Sequence, residues 1–182
     1  MTARKRDLSR YGGSSPTASA PTWQRSNKVF TFQNEVSKGN KGEAWLMHHY
    51  HSPIIPHHDH SADFIRHDGL KLELKTDWYS LSNTEYFFIE RWGDIDKKKP
   101  GGPWQSLGKA DVFVYLFIRD GVYFEFDDMK ELIKRLNKLT KDLKLIRIQN
   151  RGYAGGGYKV KLTDLADLYT DYRLYYSVDE TE

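Results

Sequence analysis

The chain contains no cysteine. That excludes a disulfide framework, a thiol nucleophile and the cysteine-bearing zinc sites, and it fits a reducing compartment. No apolar run approaches the ~20 residues of a membrane helix. The N-terminus is basic and polar, without the apolar core of a signal peptide. These absences lead us to expect an intracellular, cytoplasmic protein with no membrane partner. Excess charge of one sign is also scarce: 28 Lys and Arg stand against 25 Asp and Glu, a formal charge of +3 with a pI near 8.9. So mild a balance permits contact with nucleic acid without demanding it. No phosphate-binding Walker loop is present, because the glycines at 155–157 are not followed by Gly-Lys-Ser/Thr. No internal repeat is visible.

A chain of 182 residues suits one domain plus a tail. Residues 1–27 hold Arg4-Lys5-Arg6, Gly12-Gly13 and two prolines with almost no apolar periodicity, and read as a loosely held basic arm. Residues 28–182 read as a single α/β domain, with strands and helices interspersed.

The stretch from Asp63 to Lys75 is the most informative. Leu70, Leu72 and Leu74 alternate with Lys71, Glu73 and Lys75, so one face of a strand is apolar and the other charged. His67-Asp68-Gly69 reads as the turn before it, and Asp63–Arg66 as the preceding strand. A two-residue turn would pair Asp63 with Leu74, on the leucine face. A three-residue loop with Gly69 left-handed would pair it with Glu73, bringing two carboxylates and the Lys75 ammonium to one face. The bland alternative is a solvated strand face with charges paired across strands.

A helix is expected from Asn34 to about Tyr50, with Ala44, Leu46 and Met47 as its apolar stripe and Glu43 able to lean over the same site. His48, His49, His51, His57, His58 and His60 are six of the seven histidines. They read either as a polar loop bounded by Pro53 and Pro56 or as a zinc or nickel site. Glu85–Arg91 is an expected strand that ends near Glu90, a carboxylate needing a partner or a metal. Residues 93–109 read as a loop carrying Lys97-Lys98-Lys99, Gly101-Gly102 and Trp104. Residues 110–118 are a continuous apolar run, expected as a strand covered on both faces. Further strands are expected at 122–126, 145–149 and 159–162. A helix capped by Asp127 or Asp128 should run to about Leu139, and another from Thr163 to about Tyr172. Residues 151–158 read as a flexible glycine loop.

In this order the chain resembles the PD-(D/E)XK nuclease superfamily, with its restriction-endonuclease-like core of a mixed central β-sheet flanked by helices. Asp63, then Glu73-Leu74-Lys75 ten residues on, carry the resemblance, with a spacing similar to that of phage junction-resolving endonucleases. Phe87-Phe88-Ile89-Glu90 and Ala110-Asp111-Val112-Phe113 are similar to parts of small phage-type members. The likeness covers about residues 34–118. It departs from the pattern at Ala62, where the family's proline would stand, and the histidine and glycine loops have no counterpart.

The resemblance implies a metal-dependent DNA endonuclease. Asp63, Glu73 and the Leu74 carbonyl would hold Mg²⁺, or Mn²⁺, with Glu90 and Glu43 supporting it or orienting water. Lys75 would hold the attacking water and offset charge on the phosphate. Lys99, Lys109 and Arg151 would contact the DNA backbone, and a homodimer would let two sites cut two strands. The competing expectations are a non-catalytic nucleic-acid or protein-binding module on such a scaffold, and a zinc hydrolase centred on the histidines.

Overall fold

The computed structural model describes residues 32–57, 61–150 and 152–174, with side chains from residue 39 onward. The basic arm, His58, His60 and Arg151 lie outside the described residues. The elements are α1 (Phe32–His49), β1 (Ile54–Pro56), β2 (Phe64–Arg66), β3 (Lys71–Asp77), β4 (Tyr86–Asp94), β5 (Lys99–Pro100), α2 (Gly102–Ser106), β6 (Val112–Phe117), β7 (Val122–Phe126), α3 (Met129–Leu139), β8 (Ile146–Asn150), β9 (Tyr153–Lys161) and β10 (Thr170–Arg173). They form an α/β structure with two sheets. A six-stranded mixed sheet has the order β1-β2-β3-β6-β7-β10, and a four-stranded sheet the order β5-β4-β9-β8. In the first, β3 and β6 run parallel and the other pairs are antiparallel.

The alternation in β3 sends its residues to two different cores. Leu72 is buried with Leu46 of α1, Phe64, Val112, Val114 and Tyr123, and Leu70 and Leu74 pack against this cluster. Glu73, Lys75 and Asp77 face the other way, in register with Phe113, Tyr115 and Phe117 of β6. Those three aromatics belong to a second core with Phe87 and Ile89 of β4, Phe124 and Phe126 of β7, Leu132 and Leu136 of α3, and Val160 of β9. The charged face of β3 therefore lies on the side where the second sheet packs. All of β6 is buried, as a strand covered on both faces must be.

Two contacts fix these layers. Gly42 lets α1 press against β3, since a Cβ there would collide with the Thr76 side chain. The buried Tyr115 hydroxyl donates to Asp77 Oδ2 at 2.6 Å and accepts the Phe88 N–H at 3.0 Å. That hydroxyl joins the edge of β4 to the face of β3 beside Lys75.

Several expectations are corrected. Residues 93–109 are not one loop: β4 runs on to Asp94, and β5 and α2 follow, with Pro103 inside the first turn of α2, where its missing N–H costs nothing. The glycine stretch is not a flexible loop but the middle of β9. A Cβ at Gly155, Gly156 or Gly157 would crowd Trp92, Ile95 or Phe88, so glycine is what lets β9 lie between β4 and β8. The C-terminal helix is replaced by a short 3-10 turn at Leu162–Leu165 and by β10, which extends the β7 edge. Tyr172 stacks there on Tyr123 and His51, and Tyr169 packs on the ring of Phe124. Tertiary aromatic packing overrode the helical spacing. Ile54–Pro56, read as loop, forms an edge strand on β2, a position that tolerates proline.

Candidate active site

The turn before β3 has a three-residue loop. Arg66 N–H donates to Leu70 O and Gly69 N–H to Arg66 O, each at 2.8 Å, with Gly69 at φ +88°. Phe64 then pairs with Leu72 and Ile65 with Lys71. Asp63 comes just before this paired segment, near enough for its charge to act on Glu73. Asp63 stands just before β2, its N–H donating to Leu72 O at 2.9 Å. Its Oδ2 accepts the Leu74 N–H at 2.7 Å. That N–H points sideways out of β3, where β2 has stopped, so the Asp63 carboxylate lies at the sheet edge and belongs to neither face alone.

This placement explains how carboxylates from both sides of the sheet meet. Burial raises the Asp63 carboxyl above its usual range, and the Leu74 N–H lowers it in part. Glu73 is pushed up to about 7 by burial and by the negative charge of Asp63. The Ser106 hydroxyl and Lys109 pull it back. Glu43, on the solvent side of α1, is raised by burial and again by Asp63. Asp63 is thus the electrostatic hub of three acids: Glu43 reaches it from the α1 side, Glu73 from the face toward the second sheet.

Lys75 stands two residues beyond Glu73 on the same face, roughly 6–7 Å along the strand. It is half-buried, and among the described residues its ammonium enters no hydrogen bond or ion pair. Lys109, expected as a DNA contact, is exposed and close enough for its charge to act on Glu73. Ser106 was missed, because its segment read as loop; it is buried at the end of α2. The Glu90 side chain lies against Gly101, just before α2, and against Gly155 of β9. Lys99 is exposed in β5, hydrogen-bonded into the same sheet opposite Asp94.

The histidines divide. His51 Nδ1 lies 3.2 Å from the Tyr123 hydroxyl and 3.4 Å from Glu125 Oε2; His57 Nε2 lies 3.1 Å from Ser61 Oγ. His67, the seventh histidine, bonds Ser52 at 2.7 Å. The His51 neighbourhood holds a buried acid that the strand pattern of residues 122–126 did not flag. Glu125 is 2% exposed and bonded to Arg66 Nη1 at 2.8 Å, with its carboxyl pushed up to about 7 by burial and by Asp127.

Among the described residues, no three His, Asp or Glu side chains form a ready ligand cage for a metal ion. The donor set nevertheless has the chemistry of a hard-cation site. Two carboxylates are crowded and part-desolvated, a state that a divalent charge relieves. The Leu74 carbonyl opens to the same side of β3 as its N–H, beside Asp63, because both groups of one extended residue point one way. Mg²⁺ takes few protein oxygens and keeps several waters. Compared with protein-family models, curated proteins and solved structures, the chain matches none of them.

Proposed function

We propose that the protein is a metal-dependent DNA endonuclease, with a restriction-endonuclease-like core built around β2, β3 and β6, and that Asp63, Glu73 and Lys75 form its catalytic centre. The observation that carries this reading is the meeting of Asp63 and Glu73 at the edge where β2 stops, with Lys75 next along the same face. Two repelling carboxylates in a part-buried position cost stability unless a cation joins them. A solvated strand face has no such cost, so the bland reading of the alternation loses ground.

Asp63, Glu73 and the Leu74 carbonyl would hold Mg²⁺, or Mn²⁺ in its place. When bound, the cation polarises the phosphate and favours ionisation of a water. The Lys75 ammonium would position that water for in-line attack on phosphorus and offset the charge that grows on the phosphoryl oxygens. Glu43 would accept the proton of the attacking water, the oxygen–phosphorus bond forming as the bond to the leaving oxygen breaks. Lys109 would grip the DNA backbone. Glu90, at the far end of the aromatic run of β4, would support the metal or orient its water.

The test is cleavage of plasmid and oligonucleotide DNA with and without Mg²⁺, comparing the wild type with Glu73→Gln. Divalent-dependent cleavage that the variant lacks supports the proposal. DNA binding that persists in chelator, with no cleavage at any Mg²⁺ or Mn²⁺ concentration, would instead identify a binding module.

A further inference from the structure

The second sheet has one face in the core and one face outside it. Phe87, Ile89 and Val160 are buried inward. Their neighbours therefore point out, and the register pairs them: Tyr86 stands opposite Lys161, and Phe88 opposite Lys159. Directly opposed residues of an antiparallel pair share a face, with Cβ atoms about 4.5–5.5 Å apart. Two aromatic rings and two ammonium groups thus form a two-by-two patch.

Each member is placed for contact rather than for packing. Lys159 and Lys161 are exposed, and among the described residues neither ammonium enters a hydrogen bond or ion pair. Tyr86 and Phe88 are half-buried. The Phe88 ring leans across the strand, its Cζ 2.8 Å from where a Gly157 Cβ would sit, so glycine allows the ring to lie low over β9. Glu90 bounds the patch at one end as an acid on the same face. The β4 edge that carries Phe88 also meets Tyr115, the register partner of Lys75, through the 3.0 Å bond from the Phe88 N–H. The patch and the charged face of β3 thus share one strand edge.

We infer that this outer face of β4 and β9 binds single-stranded nucleic acid, with bases stacked on Tyr86 and Phe88 and phosphates held by Lys159 and Lys161. The charge is complementary to a polyanion, and the rings distinguish the occupant. A duplex hides its base faces, whereas an unpaired strand offers them for stacking. The inference rests on the nucleic-acid part of the function proposed above, and it narrows the substrate to DNA with an unpaired segment, such as a branch, flap or single strand. It does not depend on the chemistry at Glu73.

The experiment titrates the full chain, in chelator, into a fluorescent 20-nucleotide oligothymidine and into a duplex of the same length, across a range of salt concentrations. The wild type should prefer the single strand. Lys159→Gln with Lys161→Gln should weaken single-strand binding about tenfold and reduce the slope of log K against log salt by about 1.4, the value for two lost phosphate contacts. Phe88→Leu, which keeps the apolar bulk, should weaken binding about threefold or more with the salt slope unchanged. Wild-type affinity in the double variant overturns the inference, as does a preference for duplex. Equal binding of an acidic peptide, unaffected by Phe88→Leu, also overturns it. Cleavage without single-strand binding would reject this inference alone and leave the nuclease reading standing. Single-strand binding that the double variant loses, with no cleavage by the wild type, would support it and reject the nuclease reading.

Discussion

The Leu74 N–H donates to Asp63 Oδ2 at 2.7 Å, across the gap where β2 ends. A side chain here takes the hydrogen bond that a longer β2 would have supplied. One acid therefore has two duties, closing a strand edge and carrying negative charge, and substitution can separate them. Asp63→Asn keeps an oxygen for the Leu74 N–H, so the fold should persist with unfolding free energy within about 1 kcal/mol of wild type, while cleavage is lost. Asp63→Ala removes the acceptor and should cost about 1–3 kcal/mol for an unmade buried bond. Thermal unfolding and a cleavage assay on both variants check the separation.

The pH dependence has a defined sign. Glu73 and Glu125 have native carboxyls near 7, above the ordinary value of 4.5, so between those limits the native state binds more protons than the unfolded chain. Stability should then fall as pH rises from about 4.5 to about 7. Glu73→Gln should flatten part of that decline, and Mg²⁺ should oppose it by favouring the ionised form. Apparent Mg²⁺ affinity, in turn, should rise with pH up to about 7, because the ligand must lose its proton first. Melting curves against pH, with and without Mg²⁺, read both effects.

At Gly42 the backbone of α1 lies close against Thr76 of β3. Gly42→Ala would push a methyl into Thr76. An overpacked contact of this kind costs about 1–3 kcal/mol. The shift would also move Glu43 away from Asp63, so cleavage should fall even at temperatures where the variant stays folded. Activity and circular dichroism measured together distinguish this from simple unfolding.

Tyr115→Phe removes one hydroxyl and leaves both the Phe88 N–H and Asp77 without that partner. The expected loss is about 1–3 kcal/mol, visible as a lower melting temperature. Hydrogen exchange should accelerate at Phe88 in particular, since its amide loses the acceptor.

How much of this was legible depends on how local the signal was. The β2–β3 turn could be read because Gly69 and the leucine alternation are neighbours in sequence; they narrowed the register to two choices, and the Arg66–Leu70 hydrogen bond of the folded turn decides between them. The buried strand β6 and the Asp128-capped helix α3 were legible for the same reason. What failed was non-local. The Gly155–Gly157 stretch looks like a loop until β4 and β8 are beside it and only glycine fits. Thr163–Tyr172 has helical spacing, but its tyrosines find better partners in Phe124, Tyr123 and His51. In the candidate site, Glu43, Asp63, Glu73 and Lys75 could be named in advance. Ser106 could not, since its contact with Glu73 exists only because α2 crosses back over β3.

In the proposed function, Asp63, Glu73 and Lys75 hydrolyse DNA with a divalent cation. The direct measurement is conversion of supercoiled plasmid to nicked or linear product by the purified chain, in Mg²⁺ and in chelator, alongside Glu73→Gln and Lys75→Ala. The wild type should cleave in Mg²⁺ only, with each folded variant slower by about a hundredfold or more. Cleavage of equal rate by the Glu73→Gln, Lys75→Ala double variant would contradict it.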